Sequence, residues 1–162
     1  MAKWPEIKLF KPKNPSKYVG DPNKIEMRSS WEMKFANYCD MNPSVIQWNS
    51  EGVKVPYWSS SEQKQRTYHV DFLIKVSTRN GTTETLLIEI KPYKQTIKPV
   101  KKKGQREVTY LNEQKTYEVN MDKWKHANEF AKKNGWRFVV MTEEQLYVIF
   151  VMLRHPPREM LY

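Results

Sequence analysis

A chain of 162 residues is sized for one domain with a single core, and its lone cysteine, Cys39, allows no intrachain disulfide and suits a reducing compartment. The net charge of +10 and a pI near 9.6 favour a polyanionic partner, nucleic acid ahead of an anionic membrane surface. No run approaches the ~20 apolar residues that cross a bilayer, and MAKWPEIKLF lacks the apolar centre of a secretion signal, so a disulfide scaffold, a membrane-spanning protein and conventional secretion are all disfavoured.

Residues 1–27 read as an extended basic arm: Pro5, Pro12, Pro15 and Pro22 block helix, and Lys3, Lys8, Lys11, Lys13 and Lys17 keep it solvated. A domain is expected over 28–155 and an irregular tail over 156–162. SSWEMKFANYCDMN predicts a helix with a serine N-cap, its Trp31, Phe35 and Tyr38 forming one aromatic core face. Cys39 reads as a buried structural thiol. VIQWNSEGVKVPYW carries one or two strand-like pieces. RTYHVDFLIKVS and ETLLIEIKP are strands joined by RNGTT, and Asn80-Gly81 predicts an antiparallel hairpin. Beyond Pro92, a loop holds Lys94, Lys98, Lys101, Lys102, Lys103 and Arg106 with no acid. The segment YLNEQKTYEV stays unassigned. Asn120 is expected to cap MDKWKHANEFAKKNG, a helix closed by Gly135. WRFVVMT follows as a buried strand, and Thr142 with Gln145 forms a capping box for EEQLYVIFVML. The sum is an α/β domain with a mixed sheet flanked by helices.

The chemistry sits on the hairpin. Side chains alternate along a strand, so Glu89 and Lys91 share a face while Ile88 and Ile90 point to the core. Facing residues on adjacent strands lie ~5 Å apart, close enough for Asp71 and Glu89 to share one cation. Magnesium takes hard oxygen ligands and keeps several waters, so two carboxylates and the Ile90 carbonyl form a sufficient set. Lys91 on the same face is placed to hold a water or offset negative charge. A surface Glu–Lys pair is the competing explanation. Apolar flanks disfavour it, since a charge inside a central strand is costly unless paired or metal-bound. No zinc spacing, Walker loop or dinucleotide fingerprint is present.

V-D-F followed by I-E-I-K resembles the PD-(D/E)xK, or restriction-endonuclease-like, superfamily, with Val70 where the superfamily's name has proline. RSSWEMKF, NPSVIQWNSE, VPYW, VDF and IEIKPYKQT together are similar to the TnsA-like transposase nucleases and, more closely, to the head completion nucleases of T-even-like tailed phages, over about Tyr18 to Thr142. The resemblance implies a restriction-endonuclease-like core and a magnesium-dependent DNA endonuclease, with manganese as substitute. It makes Asp71 and Glu89 metal ligands and Lys91 the catalytic lysine. Glu32 becomes a further ligand or an orienter of the metal-bound water, or else a helix acid supporting Lys34 or Lys91. Glu51 reads as a turn acid and His69 as a rim histidine.

Lys94, Lys98, Lys101, Lys102, Lys103 and Arg106 are the expected phosphate clamp, and Tyr57, Trp58 and Tyr93 are candidates for stacking on bases. The resemblance further implies partners in the phage portal, head or neck, and a place in the host cytoplasm during assembly and then in the virion. Two alternatives stand beside the nuclease: a structural head-completion factor that uses the fold to bind DNA or portal, and a TnsA-like transposition nuclease working with a partner transposase.

Overall fold

The computed structural model describes residues 3–154; the expected tail over 156–162, with His155, lies outside them. Among the described residues eight strands form three sheets. β1 (Lys3–Phe10) pairs antiparallel with β2 (Ile25–Ser29), and β4 (Lys54–Ser59) with β5 (Lys64–His69). The main sheet has the order β3 (Val45–Ser50), β6 (Phe72–Ser77), β7 (Thr83–Ile90), β8 (Arg137–Met141), antiparallel except for the parallel β7–β8 pair. Parallel neighbours need a long crossover, and α2 (Glu107–Lys133) supplies it. The other helices are α1 (Ser30–Met41) and α3 (Glu143–Arg154). This mixed α/β architecture is that of a restriction-endonuclease-like core.

The strand alternation of β7 divides the molecule into two cores. Ile88 and Ile90 point to one face, where Phe35, Ala36 and Cys39 of α1 and Leu146 of α3 pack with Trp48, Phe72 and Ile74. Leu87 points to the other, against Ala127 and Ala131 of α2 and Val55, Tyr57, Tyr68 and Val70. Two fully buried alanines let the helix backbone approach the sheet closely. The aromatic face of α1 packs as expected, Phe35 lying edge-on to Phe72 at 4.8 Å between ring centres. Cys39 is buried, and burial pushes its thiol well above the usual range, as an inert core residue requires.

The N-terminal segment, expected as an extended basic arm, is extended and docked on the domain. Its residues 3–10 are a paired strand with Phe10 in the core. Asp40, buried at the end of α1, accepts the backbone N–H groups of Lys13 (2.7 Å) and Asn14 (3.0 Å). Lys17 Nζ donates to the carbonyls of Asp40 and Asn42 (3.0 and 2.8 Å), a cation at a helix C-terminus. The prolines that exclude helix leave an edge strand open to the chain, and Asp40 makes the segment part of the domain.

Three expectations change. RTYHVDFLIKVS is two strands, β5 and β6, in different sheets, because the chain bends at Val70 and Asp71. Asn120 is no cap: it lies mid-helix in α2, which absorbs the unassigned YLNEQKTYEV. β8 is an edge strand and only half-buried. The hairpin turn forms at Asn80-Gly81, where Gly81 takes φ +74°, and the capping box forms, with Gln145 Oε1 accepting from Thr142 N and Oγ1 at 2.8 Å each.

Candidate active site

The β6–β7 register pairs Phe72 with Ile88. One step further along that diagonal Asp71 opposes Glu89, at the level where the chain leaves the main sheet. The bend is doubled by the neighbouring strand, which turns at Glu51 and Gly52 on its way from β3 to β4. Glu51 N–H donates to the Asp71 carbonyl at 3.0 Å, and Val70 N–H to the Val53 carbonyl at 3.1 Å. A Cβ at position 52 would stand 1.8 Å from Asn49 Oδ1, so a larger residue there would displace the Asn49 side chain. Glu51 itself adopts φ +54° and pairs with Arg28 at 3.1 Å, a turn acid as expected.

The bend leaves Asp71 out of the strand ladders and half-buried, with Oδ2 accepting the Ile90 N–H at 2.7 Å. In a strand the N–H and C=O of one residue point to the same neighbour, so the Ile90 carbonyl also faces the Asp71 side. Glu89 is 3% exposed. Its Oε1 meets Lys91 Nζ at 2.9 Å, and its Oε2 accepts a hydrogen bond from the Tyr68 hydroxyl. Burial, then the charge of Glu89, raises the Asp71 carboxyl well above the usual carboxylate range, against the opposing pull of the Ile90 N–H and Lys91. Burial acts to lower the Lys91 ammonium, but Glu89, Asp71 and Glu32 outweigh it and raise it above an ordinary lysine. Lys91 is therefore a standing cation at neutral pH, suited to offsetting charge rather than to removing a proton. Burial and the Glu89 charge likewise keep Tyr68 a phenol and a hydrogen-bond donor.

Asp71, Glu89 and Lys91 are thus brought together, and Glu32 is not joined to them directly. α1 packs on the Ile88/Ile90 face, and Glu32 closes a capping box at its N-terminus. Ser29 Oγ donates to Glu32 Oε1 at 2.9 Å, Glu32 N–H donates back to Ser29 Oγ at 3.2 Å, and Arg28 N–H donates to Glu32 Oε2 at 3.0 Å. Its charge still reaches Asp71 and Lys91. Among the described residues no three His, Cys, Asp or Glu side chains gather as a metal cage. The donor set nevertheless fits a magnesium-like ion: two opposed carboxylates and a carbonyl are hard oxygen donors, and a cation would relieve the mutual repulsion that raises Asp71.

Two residues of the site escape the sequence reasoning. Tyr68 precedes Asp71 by three and looks like a core aromatic, yet its hydroxyl holds Glu89. Lys123 comes from α2, far away in sequence, and its Nζ stands 5.3 Å from the centre of the Tyr68 ring. It is half-buried and makes no ion pair among the described residues; burial and then Lys91 lower its pKa, while Glu89 and Asp71 pull the other way. Only the helix pairing with the Leu87/Glu89 face places it there.

The six expected phosphate contacts lie outside this pocket. Lys94, Lys98, Lys101, Lys102, Lys103 and Arg106 are all exposed on the segment joining β7 to α2, with Lys101 paired to Glu107. Of the stacking candidates, Tyr57 is buried against α2 and unavailable, whereas Trp58 and Tyr93 are exposed.

Comparison with known proteins identifies the family. The TnsA-like endonuclease N-terminal family matches residues 42–143, from the end of α1 to the first residue of α3. The head completion nuclease of Enterobacteria phage T4 is 42% identical over 138 residues, covering 83% of this chain and 89% of that protein. No solved structure matches the chain. The matched span contains Tyr68, Asp71, Glu89, Lys91 and Lys123, and the chain belongs to the TnsA-like endonuclease family.

Proposed function

We propose that the protein is a metal-dependent DNA endonuclease that acts during head completion in a tailed phage, processing DNA at the packaged head so that tails can join. The observation that carries the chemistry is the opposed pair of half-buried Asp71 and buried Glu89, with Lys91 bound to Glu89. The occasion is supported by the T4 relative, whose name is that of a head completion nuclease. On this reading the partners are DNA and the portal or neck of the head.

Asp71, Glu89 and the Ile90 carbonyl would hold magnesium, with manganese able to substitute. Bound there, such an ion supplies Lewis acidity and a water of lowered pKa. The chain's own groups do the rest. Lys91, kept protonated by Glu89, offsets charge growing on the phosphoryl oxygens. Tyr68 fixes one Glu89 oxygen and so aims the other. Lys123, a half-buried ammonium with no carboxylate within ion-pair distance among the described residues, takes a phosphate as its counter-ion; burying such a charge unpaired is otherwise costly. Glu32 acts at one remove, through its charge. The exposed lysines of residues 94–106 hold flanking phosphates without reading sequence.

Purified protein incubated with plasmid and magnesium tests the reading. Nicking or linearisation is expected, lost on chelation and in Asp71→Ala and Lys91→Ala. Cleavage that survives both substitutions would remove these residues from the chemistry.

A further inference from the structure

Between the basic segment and the first half of α2 lies a cleft of about 660 Å³. One wall carries Lys94, Lys98, Lys101 and Lys102 with the aliphatic side chains of Ile97 and Val100; the other carries Thr109, Asn112, Thr116 and Tyr117 of α2, with Glu113 as its single acid. Ile97 and Val100 remain 47% and 78% exposed. Residues 107–119 of α2 contain no buried position, so this part of the helix projects beyond the body, whereas the helix from Asn120 onward packs on the sheet.

We infer that this cleft binds an unpaired DNA strand and leads it to the Asp71–Glu89 carboxylates, so that the preferred substrate is a duplex with a single-stranded end or tail. The inference rests on the nuclease reading and specifies its substrate. Size decides against a duplex inside the cleft: 660 Å³ is a volume that encloses one drug-sized ligand, the scale of one or two nucleotides. B-DNA, with a major groove alone ~12 Å across, does not enter. Chemistry decides for a nucleic acid strand. Lysines in a row suit a phosphate backbone, and the Tyr117 ring on the opposite wall suits stacking with a base, the combination found in single-strand grooves.

Helix geometry supplies the route. Residues 109, 112/113, 116/117, 120 and 123 recur at three- and four-residue steps and form one face of α2. That face runs from the cleft to Lys123 at the active site, ~21 Å from Thr109 to Lys123 at 1.5 Å per residue. Asn120, between the cleft and Lys123, keeps a buried side-chain N–H group without a partner among the described residues, a polar group that packing alone does not call for.

The test compares cleavage, in magnesium, of a blunt duplex with the same duplex carrying a 3′ or a 5′ single-stranded tail. It is paired with binding of a tail-length single strand and of a blunt duplex by metal-free protein. Tailed substrate is expected to be cut about tenfold faster, the equivalent of ~1.4 kcal/mol of extra transition-state binding. Lys98→Ala/Lys102→Ala should bring that ratio close to one and make the salt dependence of single-strand binding shallower by about 1.4, two contacts at ~0.7 each. Equal cleavage of tailed and blunt DNA by the wild type, or an unchanged ratio and salt slope in the double variant, overturns the inference while leaving the nuclease reading intact; the cleft would then be a protein-docking surface. Absence of cleavage on every substrate defeats the nuclease reading, and the salt slope alone then judges the cleft.

Discussion

The carboxylate site and the lysine cleft are neighbours on the chain, Lys91 and Lys94 being three residues apart, but they are built on opposite terms. In the first, the carboxylates of Asp71 and Glu89 and the groups facing them are held in a half-buried pocket: Ile90 N–H on Asp71, Tyr68 and Lys91 on Glu89, Lys123 over the Tyr68 ring. In the second, exposed lysines stand in solvent, and among the described residues only Lys101 has an acid paired with it. Burial concentrates effect. A charge in the pocket is expensive to misplace and strong when well placed, while a charge in the cleft is screened and adds to its neighbours in small increments. Substitutions should therefore separate the two regions by orders of magnitude.

The largest effect is expected at Asp71. Asp71→Asn keeps an acceptor for the Ile90 N–H and removes the charge, so cleavage should fall by about a thousandfold. Stability should rise at the same time by about 1 kcal/mol, a trade of fold for function, read by denaturant titration of metal-free protein. The sign follows from linkage. Asp71's folded-state pKa is raised, so its contribution is fully present below the unfolded value, ~3.9, and is lost as pH rises through the folded value. Metal-free wild type should gain stability on mild acidification from neutral pH, and that gain should shrink in Asp71→Asn. Activity runs the other way, since the carboxyl must lose its proton to hold a cation. The acid limb of the pH–rate profile should accordingly lie above the range of an ordinary aspartate.

Lys123→Met comes next. It preserves the stem against Tyr68 and deletes the charge. Loss of one charge-assisted phosphate contact, about 1.5–3 kcal/mol, predicts a ten- to hundredfold fall in kcat/KM. Folding stability should hold or increase, because an unpaired half-buried cation is removed. A variant that loses stability and keeps its rate would make Lys123 a packing residue and blur the boundary between the two regions.

How much of this was legible in the sequence follows the same physics. Local signals read well: the serine cap of α1, the Asn80-Gly81 turn and the Thr142–Gln145 box are short-range chemistry between residues a few positions apart. The opposition of Asp71 and Glu89 also followed, because a hairpin turn and strand alternation together determine register. What was missed lies in long-range packing. Nothing near Lys123 marks it as a site residue; only Ala127 and Ala131 docking beneath Leu87 bring it to Glu89. Glu32 was taken for a possible ligand because of its place on the preceding helix, but Ser29 and Arg28 compete for its oxygens. The prolines predict an extended arm but not what pins it to the domain, because the buried acid that does so, Asp40, lies 23 to 27 residues away.

The smallest effects belong to the cleft. Single alanine substitutions at Lys94, Lys98 or Lys102 should weaken DNA binding only about two- to threefold each at moderate salt. They should do so on every DNA sequence alike, since phosphate contacts carry no sequence information. A tenfold loss at any one of them would mean that the cleft, too, contains a buried, specific contact.

The claim at the centre is that Asp71 and Glu89 share one cation. Anomalous diffraction from crystals grown with manganese addresses it directly. The account predicts a peak between the two carboxylates, within ~2.2 Å of an oxygen of each and in reach of the Ile90 carbonyl, absent from Asp71→Asn crystals. Manganese-dependent cleavage accompanied by a peak elsewhere, or by no peak at these carboxylates, would contradict it.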